Sequence, residues 1–216
     1  MFNEYIHKLG VPSTIGVTEC YGLTPDLMAF VPQPVKAVIL TYPYDDAKES
    51  ARSDALKDLD APSAIPEVYY MKQLVGNACG TIALIHALAN TIPDADLGAG
   101  IIGEFIRRTR GKKPEEIGES LGEDKGFCDE HSSFSSQGQS NDVGEDSDYH
   151  FICFVPVNGV LYELDGMHKT VCPISHGKTS PETFFEDAAK VIAKNFFEGT
   201  GEDSPIDFNI MTLGPL

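Results

Sequence analysis

Residues 78–90 (ACGTIALIHALAN) constrain the fold more than any other stretch of the chain. They read as a helix that is apolar nearly all round rather than on one face. A helix of this kind is buried on every side, so the rest of the chain has to surround it. Asn77 stands where an N-cap is expected. With 216 residues, 42% of them hydrophobic, the chain is long enough for one domain with a sizeable core. No internal repeat divides it.

The remaining elements follow from local pattern. Residues 2–9 read as a short amphipathic helix ended by Gly10, and Asp26 to Met28 follow Pro25, a good first-turn proline. Val35 to Tyr42 (VKAVILTY) is rich in β-branched and aromatic side chains and reads as a buried strand. Residues 45–60 read as a solvated helix or a mobile surface stretch, and 100–110, 114–121 and 181–197 as helices. His150 to Val155 and Val160 to Leu164 read as strands around Asn158-Gly159, the strongest short hairpin signal. A two-residue turn there sets Val157 opposite Val160 and Ile152 opposite Asp165. Residues 206–213 read as a last strand. The mixture predicts an α+β domain with a mainly antiparallel sheet.

Residues 123–148 differ from the rest. They hold eight acids, one Lys, six Ser, three Gly and three large apolar side chains, Phe127, Phe134 and Val143. They carry neither a helix nor a strand period. A connection of this kind inside a domain is either a functional loop or a tolerated surface insertion.

Composition excludes several function classes. Lys plus Arg is 16 against 33 for Asp plus Glu, a net charge of −17. Neutralising phosphate needs a basic surface, so no nucleic-acid partner is expected. No apolar run approaches the ~18 residues of a membrane helix, and the N-terminal MFNEYIHKLG is not a secretory signal. Neither a membrane partner nor an oligomer is expected, only a monomer. The five cysteines, Cys20, Cys79, Cys128, Cys153 and Cys172, are scattered without a C-x-x-C. Free thiols in a reducing compartment follow, the cytoplasm first and the nucleus second.

Two motifs are set aside. Gly98, Gly100 and Gly103 spell G-x-G-x-x-G, but the preceding IPDADL is not the strand a dinucleotide site requires. The six histidines form no H-E-x-x-H, and no cysteine pairs with them at ligand spacing, so neither a metal nor a cofactor is expected.

Nucleophilic chemistry is better supported. Cys79 sits at the second helical position after Asn77, beside unsatisfied N–H groups and the positive end of the helix dipole, an environment that favours thiolate. Gly80 leaves room for a substrate. The competing reading is a small buried hydrophobe. His86 lies seven residues on along the same helix, ~10 Å away along the axis, and reads as a core histidine. His150 opens a strand after the polar loop and, in the hairpin register, is the diagonal neighbour of Asp165. A carboxylate there orients and charges an imidazole, unless Asp165-Gly166 is merely a turn. Gln73, six residues before Cys79, is placed to donate to an oxyanion alongside the Cys79 N–H. In order the set is Gln, Cys, His, Asp, a papain-like arrangement.

These residues resemble the ubiquitin carboxyl-terminal hydrolases, small cysteine-dependent deubiquitinases. Met71 to Asn90 (MKQLVGNACGTIALIHALAN), Tyr149 to Phe154 (YHFICF) and Gly159 to Gly166 (GVLYELDG) carry the resemblance. Ser175-His176-Gly177, Tyr21-Gly22 and AVILTYP fit as well, so it spans essentially the whole chain. It implies a papain-like cysteine protease fold, a central antiparallel sheet flanked by helices, with a knotted chain path that departs from the usual rule. It implies a single catalytic domain over 1–216, with 123–148 as a crossover loop that restricts leaving-group size. By the match, Cys79 is the nucleophile, His150 the base and acid, Asp165 its orienter and Gln73 an oxyanion donor. Glu19 aligns with an acidic contact to the basic ubiquitin tail, and the acidic balance would steer that tail. The substrate implied is ubiquitin carrying a small or unfolded adduct on its C-terminal glycine. Two alternatives stand beside it: a hydrolase of another ubiquitin-like modifier, and a ubiquitin-binding module without turnover. One departure is that similar proteins carry a further segment before the first helix, which implies weaker ubiquitin binding or a shortened form of the chain.

Overall fold

The computed structural model describes residues 2–56, 65–128, 149–168, 172–197 and 208–216. In chain order the elements are α1 (Phe2–Lys8), β1 (Ile15–Cys20), α2 (Pro25–Met28), β2 (Ala37–Pro43), α3 (Asp46–Leu56), α4 (Cys79–Thr91), α5 (Ile101–Thr109) and α6 (Pro114–Glu123). They continue with β3 (Tyr149–Val157), β4 (Val160–Leu164), β5 (Ile174–Lys178), α7 (Phe184–Ile192), a π-helical turn over Ala193–Phe197, and β6 (Asn209–Pro215). The strands form one sheet in the order β1-β6-β2-β3-β4-β5, every neighbouring pair antiparallel. This is the expected α+β class. The knotted path that the resemblance implies requires the course of the whole chain, including residues outside the described set.

The hairpin is the element that sequence located best. Asn158 and Gly159 take φ of 50° and 77°, the two left-handed positions of a type I′ turn, which matches the twist of the flanking strands. The expected register holds from Val157↔Val160 to Cys153↔Leu164.

Alternation along the strands separates two cores. Ala37, Ile39, Cys153, Val155, Met211 and Leu213 face α1, α4 and α5, while Val38, Leu40, Ile152, Phe154 and Leu161 face α7. Thr81 to Ala89 of α4 are all buried, because β2 and β3 cover one side of the helix and α5 and the 68–71 segment cover others.

Several expectations are corrected. Asn77 does not cap α4: it takes φ 54°, a left-handed turn that Asn tolerates, and Ala78 is the N-cap, with no side-chain cap bond. Cys79 is therefore the first helical residue, not the second. Residues 181–183 form a turn in which Ser180 and Thr183 exchange hydrogen bonds, so α7 starts at Phe184. The last strand begins at Asn209. Strands β1 and β5 lie at the two sheet edges and have too few apolar residues to announce themselves. Within 123–148, residues 125–128 form a helical turn that buries Phe127 edge-on against Phe105 at 5.2 Å, and residues 129–148 lie outside the described set.

The glycine motif has a structural origin. Gly98 takes φ 74°, and the Gly10 and Gly100 backbones pass so close that neither could carry a Cβ.

Candidate active site

Three segments meet at one end of the sheet: the start of α4, the start of β3 and the turn after β4. Cys79 is half-buried. Hydrogen bonding inside α4 begins with Ile82 N–H to Ala78, so the N–H groups of its first turn have no helical acceptor. A Cβ at Gly80 would meet the Phe151 ring at 3.8 Å, an ordinary contact.

His150 and Asp165 lie on the same sheet face, as diagonal neighbours in the hairpin register. His150 Nε2 lies 2.7 Å from Asp165 Oδ1, and both side chains are 2% exposed. The ring's other nitrogen, Nδ1, does not face Asp165, and the nearby Cys79 side chain favours the ring's charged form. The Tyr42 and Tyr44 rings lie nearly perpendicular to the imidazole, with centroids at 5.8 and 5.7 Å.

The electrostatics follow from these contacts. Burial works against a charged imidazole, but the hydrogen bonds and charges of Asp165 and Cys79 outweigh it and push His150 up to about 10. Burial likewise works against the Asp165 carboxylate. The His150 hydrogen bond and charge, with the Met167 N–H at 2.8 Å, hold it below the usual carboxylate range. The pair is a buried, charge-assisted hydrogen bond.

Gln73 is brought to the same place through its backbone, which donates to the Gly166 carbonyl at 2.9 Å. Its side-chain oxygen is buried and has no hydrogen-bond partner among the described residues. The structure thus brings Cys79, His150, Asp165 and Gln73 together. It does not bring Glu19 to them: Glu19 is exposed on β1, and β6 and β2 separate it from the strand of His150, a lateral span of ~14 Å at sheet spacing.

His86 is a core histidine. It is fully buried, and its Nε2 accepts the Met71 N–H at 3.1 Å. Burial pushes it down to about 4, so the ring stays neutral, and with Nε2 accepting, the proton sits on Nδ1.

Sequence reasoning missed the charged cluster behind Asp165. Glu163, wholly buried on β4, pairs with Arg52 of α3 and lies 2.9 Å from His176 Nε2 of β5. Arg52 also covers the Phe196 ring at 4.7 Å. One signal was present: alternation puts Glu163 on the same face as core residue Leu161, and a carboxylate there needs a partner.

Among the described residues, no group of three or more His, Cys, Asp or Glu side chains is arranged to hold a metal ion. No described helix is long and apolar enough to cross a membrane.

The sequence profile of "Ubiquitin carboxyl-terminal hydrolase, family 1" matches residues 1–198. A ubiquitin carboxyl-terminal hydrolase of Drosophila melanogaster is 38% identical over 99% of this chain and 92% of its own length. Isozyme L1 of Rattus norvegicus is 34% identical over 99% and 93%. Among solved structures, the Trichinella spiralis UCH37 catalytic domain bound to ubiquitin vinyl methyl ester superposes with a TM-score of 0.76 at 27% identity, covering 100% of this chain and 91% of that one. Matched by sequence and by structure along nearly all of its length, this chain belongs to the ubiquitin carboxyl-terminal hydrolase family, the cysteine-type deubiquitinases with a papain-like fold.

Proposed function

We propose that this deubiquitinase cleaves small or unfolded adducts from the C-terminal glycine of ubiquitin through Cys79, His150, Asp165 and Gln73. His150 takes the Cys79 proton, or the two already rest as an ion pair, the state that the raised His150 favours. The sulfur attacks the carbonyl carbon of the terminal glycine, and the charge that develops on its oxygen is met by the Gln73 side chain and the Cys79 N–H. His150 then returns the proton to the leaving amine or thiol. Water, deprotonated by His150, attacks the thioester and releases ubiquitin. Asp165 holds the ring in place and stabilises its charged form throughout. The steps require no cofactor.

The observation that carries this reading is the almost fully buried His150 ring, held on one side by Asp165, with Cys79 near enough to favour its charged form. A ubiquitin-bound relative of the same fold supports the choice of modifier. Glu19, exposed on β1, is assigned to the basic ubiquitin tail, and residues 123–148 to restricting leaving-group size. Both assignments rest on the family resemblance.

The test is release of a fluorophore from the ubiquitin C-terminus by the wild-type chain and by Cys79→Ala. Release by the first alone supports the reading. Equal release by both removes Cys79 as nucleophile, and release only from another ubiquitin-like modifier reassigns the substrate. A variant with 123–148 lengthened should accept bulkier adducts, and unchanged size selectivity would reject that role for the loop.

A further inference from the structure

The segment 69–73, which leads into Gln73, is fastened on both sides. On one side it is bonded to α4, the helix that carries Cys79. Tyr69 exchanges two hydrogen bonds of 2.8 Å with the Asn90 side chain, N–H to Oδ1 and Nδ2–H to carbonyl, and the Met71 N–H donates to His86 Nε2. Asn90 and His86 lie one helical turn apart, and Asn90 also donates to the His86 carbonyl at 2.8 Å.

On the other side the segment is bonded to the turn that begins with Asp165. The Tyr70 hydroxyl donates to the Asp165 carbonyl at 2.9 Å, Lys72 Nζ to the His168 carbonyl at 3.0 Å, and the Gln73 N–H to the Gly166 carbonyl at 2.9 Å. Gly166 is wedged between the two: a Cβ there would meet Gln73 and Ile82 of α4 at 3.2 Å. Helix α4 and the Asp165 turn, distant in sequence, are thus tied together by one extended strip of chain that ends at Gln73.

Tyr70 is the side chain that touches both neighbours. Its ring stacks on His86, with centroids at 5.4 Å and an interplanar angle of 25°, while its hydroxyl holds the Asp165 backbone. It is 4% exposed, and burial raises its hydroxyl pKa far above the ordinary value, so it remains a neutral donor. The opposite end of the same residue is also held, since the Asp165 N–H donates to Cys172 Sγ at 3.2 Å.

We propose that Tyr70 is a positioning residue, fixing the Asp165 turn against the helix of Cys79 so that Asp165, Gln73 and Cys79 keep one spacing without Tyr70 touching substrate. The proposal rests on the catalytic reading above. Its physical basis is that catalytic groups displaced by about 1 Å lose up to ~100-fold in rate, and a turn carrying the orienting carboxylate shifts easily once its carbonyl is released. The hydroxyl supplies direction, and the His86 ring keeps the tyrosine from swinging.

The test is Tyr70→Phe, which removes one oxygen and keeps the ring stack. Steady-state hydrolysis of a ubiquitin C-terminal fluorophore is measured across pH beside Tyr69→Phe and Asp165→Asn. Tyr69→Phe is the matched control, because its buried hydroxyl bonds Thr109 of α5 at 2.6 Å instead of the turn. The expected result for Tyr70→Phe is a kcat about tenfold lower, an unchanged KM, and an alkaline limb moved to lower pH, because a misplaced carboxylate supports the imidazolium less well. Tyr69→Phe should lower thermal stability while keeping kcat and limb. A folded Tyr70→Phe with wild-type kcat and limb overturns the proposal. So does a rate lowered equally at all pH with the limb unmoved, which is the signature of a merely structural role. Should Tyr70→Phe not fold, His86→Gln, which removes the ring beneath the tyrosine, is read by the same two quantities and with the same outcomes. If Asp165→Asn itself keeps the wild-type rate and profile, the catalytic reading fails and the proposal falls with it. Wild-type behaviour of Tyr70→Phe beside an impaired Asp165→Asn overturns the positioning role alone.

Discussion

His150 and Asp165 face each other across a 2.7 Å hydrogen bond with both side chains almost fully buried. Such a pair makes stability depend on pH in a definite direction. His150 is raised to about 10, so its contribution is complete below its ordinary value of ~6.5 and is lost as pH rises through about 10. Asp165 is lowered, so its contribution is present above its ordinary ~3.9 and is lost as pH falls through the depressed value. The stability advantage of wild type over Asp165→Asn should therefore be largest between about pH 4 and 6.5 and shrink on either side. Denaturant unfolding of both proteins across pH reads this difference, and a constant difference would sink the ion-pair description.

Cys79→Ala should abolish turnover and keep ubiquitin binding. The side chain sits at the helix start, outside both cores, so its loss leaves no core cavity. Calorimetric titration with ubiquitin beside the fluorophore assay separates the two properties. Loss of binding together with turnover would mean that the substitution disturbs the fold of the site.

Arg52→Ala should destabilise the protein by about 3 kcal/mol, because removing one partner of a buried pair leaves the other charge uncompensated. Here the other charge is Glu163, wholly buried, with His176 as its second neighbour. Burial and the Arg52 charge push His176 down to about 4, so at neutral pH it donates a hydrogen bond without supplying a charge. Thermal unfolding measures the effect, and a loss below ~1 kcal/mol would show that the pair is worth no more than a surface contact.

Gly10→Ala should cost at least ~2 kcal/mol. Gly10 takes φ 93°, a conformation that a Cβ penalises, and the new methyl would overlap the Gly100 backbone. The crossing lies beside α1 and α5, away from the triad, so kcat of the folded protein should be unchanged. An equally stable variant would mean that the two backbones separate at little cost.

How much of this was legible in the sequence depends on the range of the cause. The burial of α4 follows from residues in one continuous run, ACGTIALIHALAN. The hairpin register follows from two residues, Asn158 and Gly159, whose left-handed angles determine the turn and with it the diagonal relation of His150 to Asp165. Strand β2 and helices α1, α5 and α6 follow from local period in the same way. These are short-range effects, so sequence alone determined them.

The tertiary structure decided the rest, because the remaining energies come from pairs that are remote in sequence. Asn77 has the chemistry of an N-cap, but the turn into α4 requires a left-handed residue there, and Ala78 takes the cap position. Edge strands β1 and β5 form because β6 and β4 offer unpaired backbone groups to them, not because IGVTEC or ISHGK prefer to be extended. Arg52 lies on a helix that reads as solvated, and only the sheet beneath it turns that arginine into the counter-charge of Glu163. Tyr70 carries no local sign of its place between His86 and Asp165, since its partners are contributed by α4 and by the turn after β4. Local pattern determines where helices and turns form, whereas the satisfaction of each buried polar group is settled only when the segments meet.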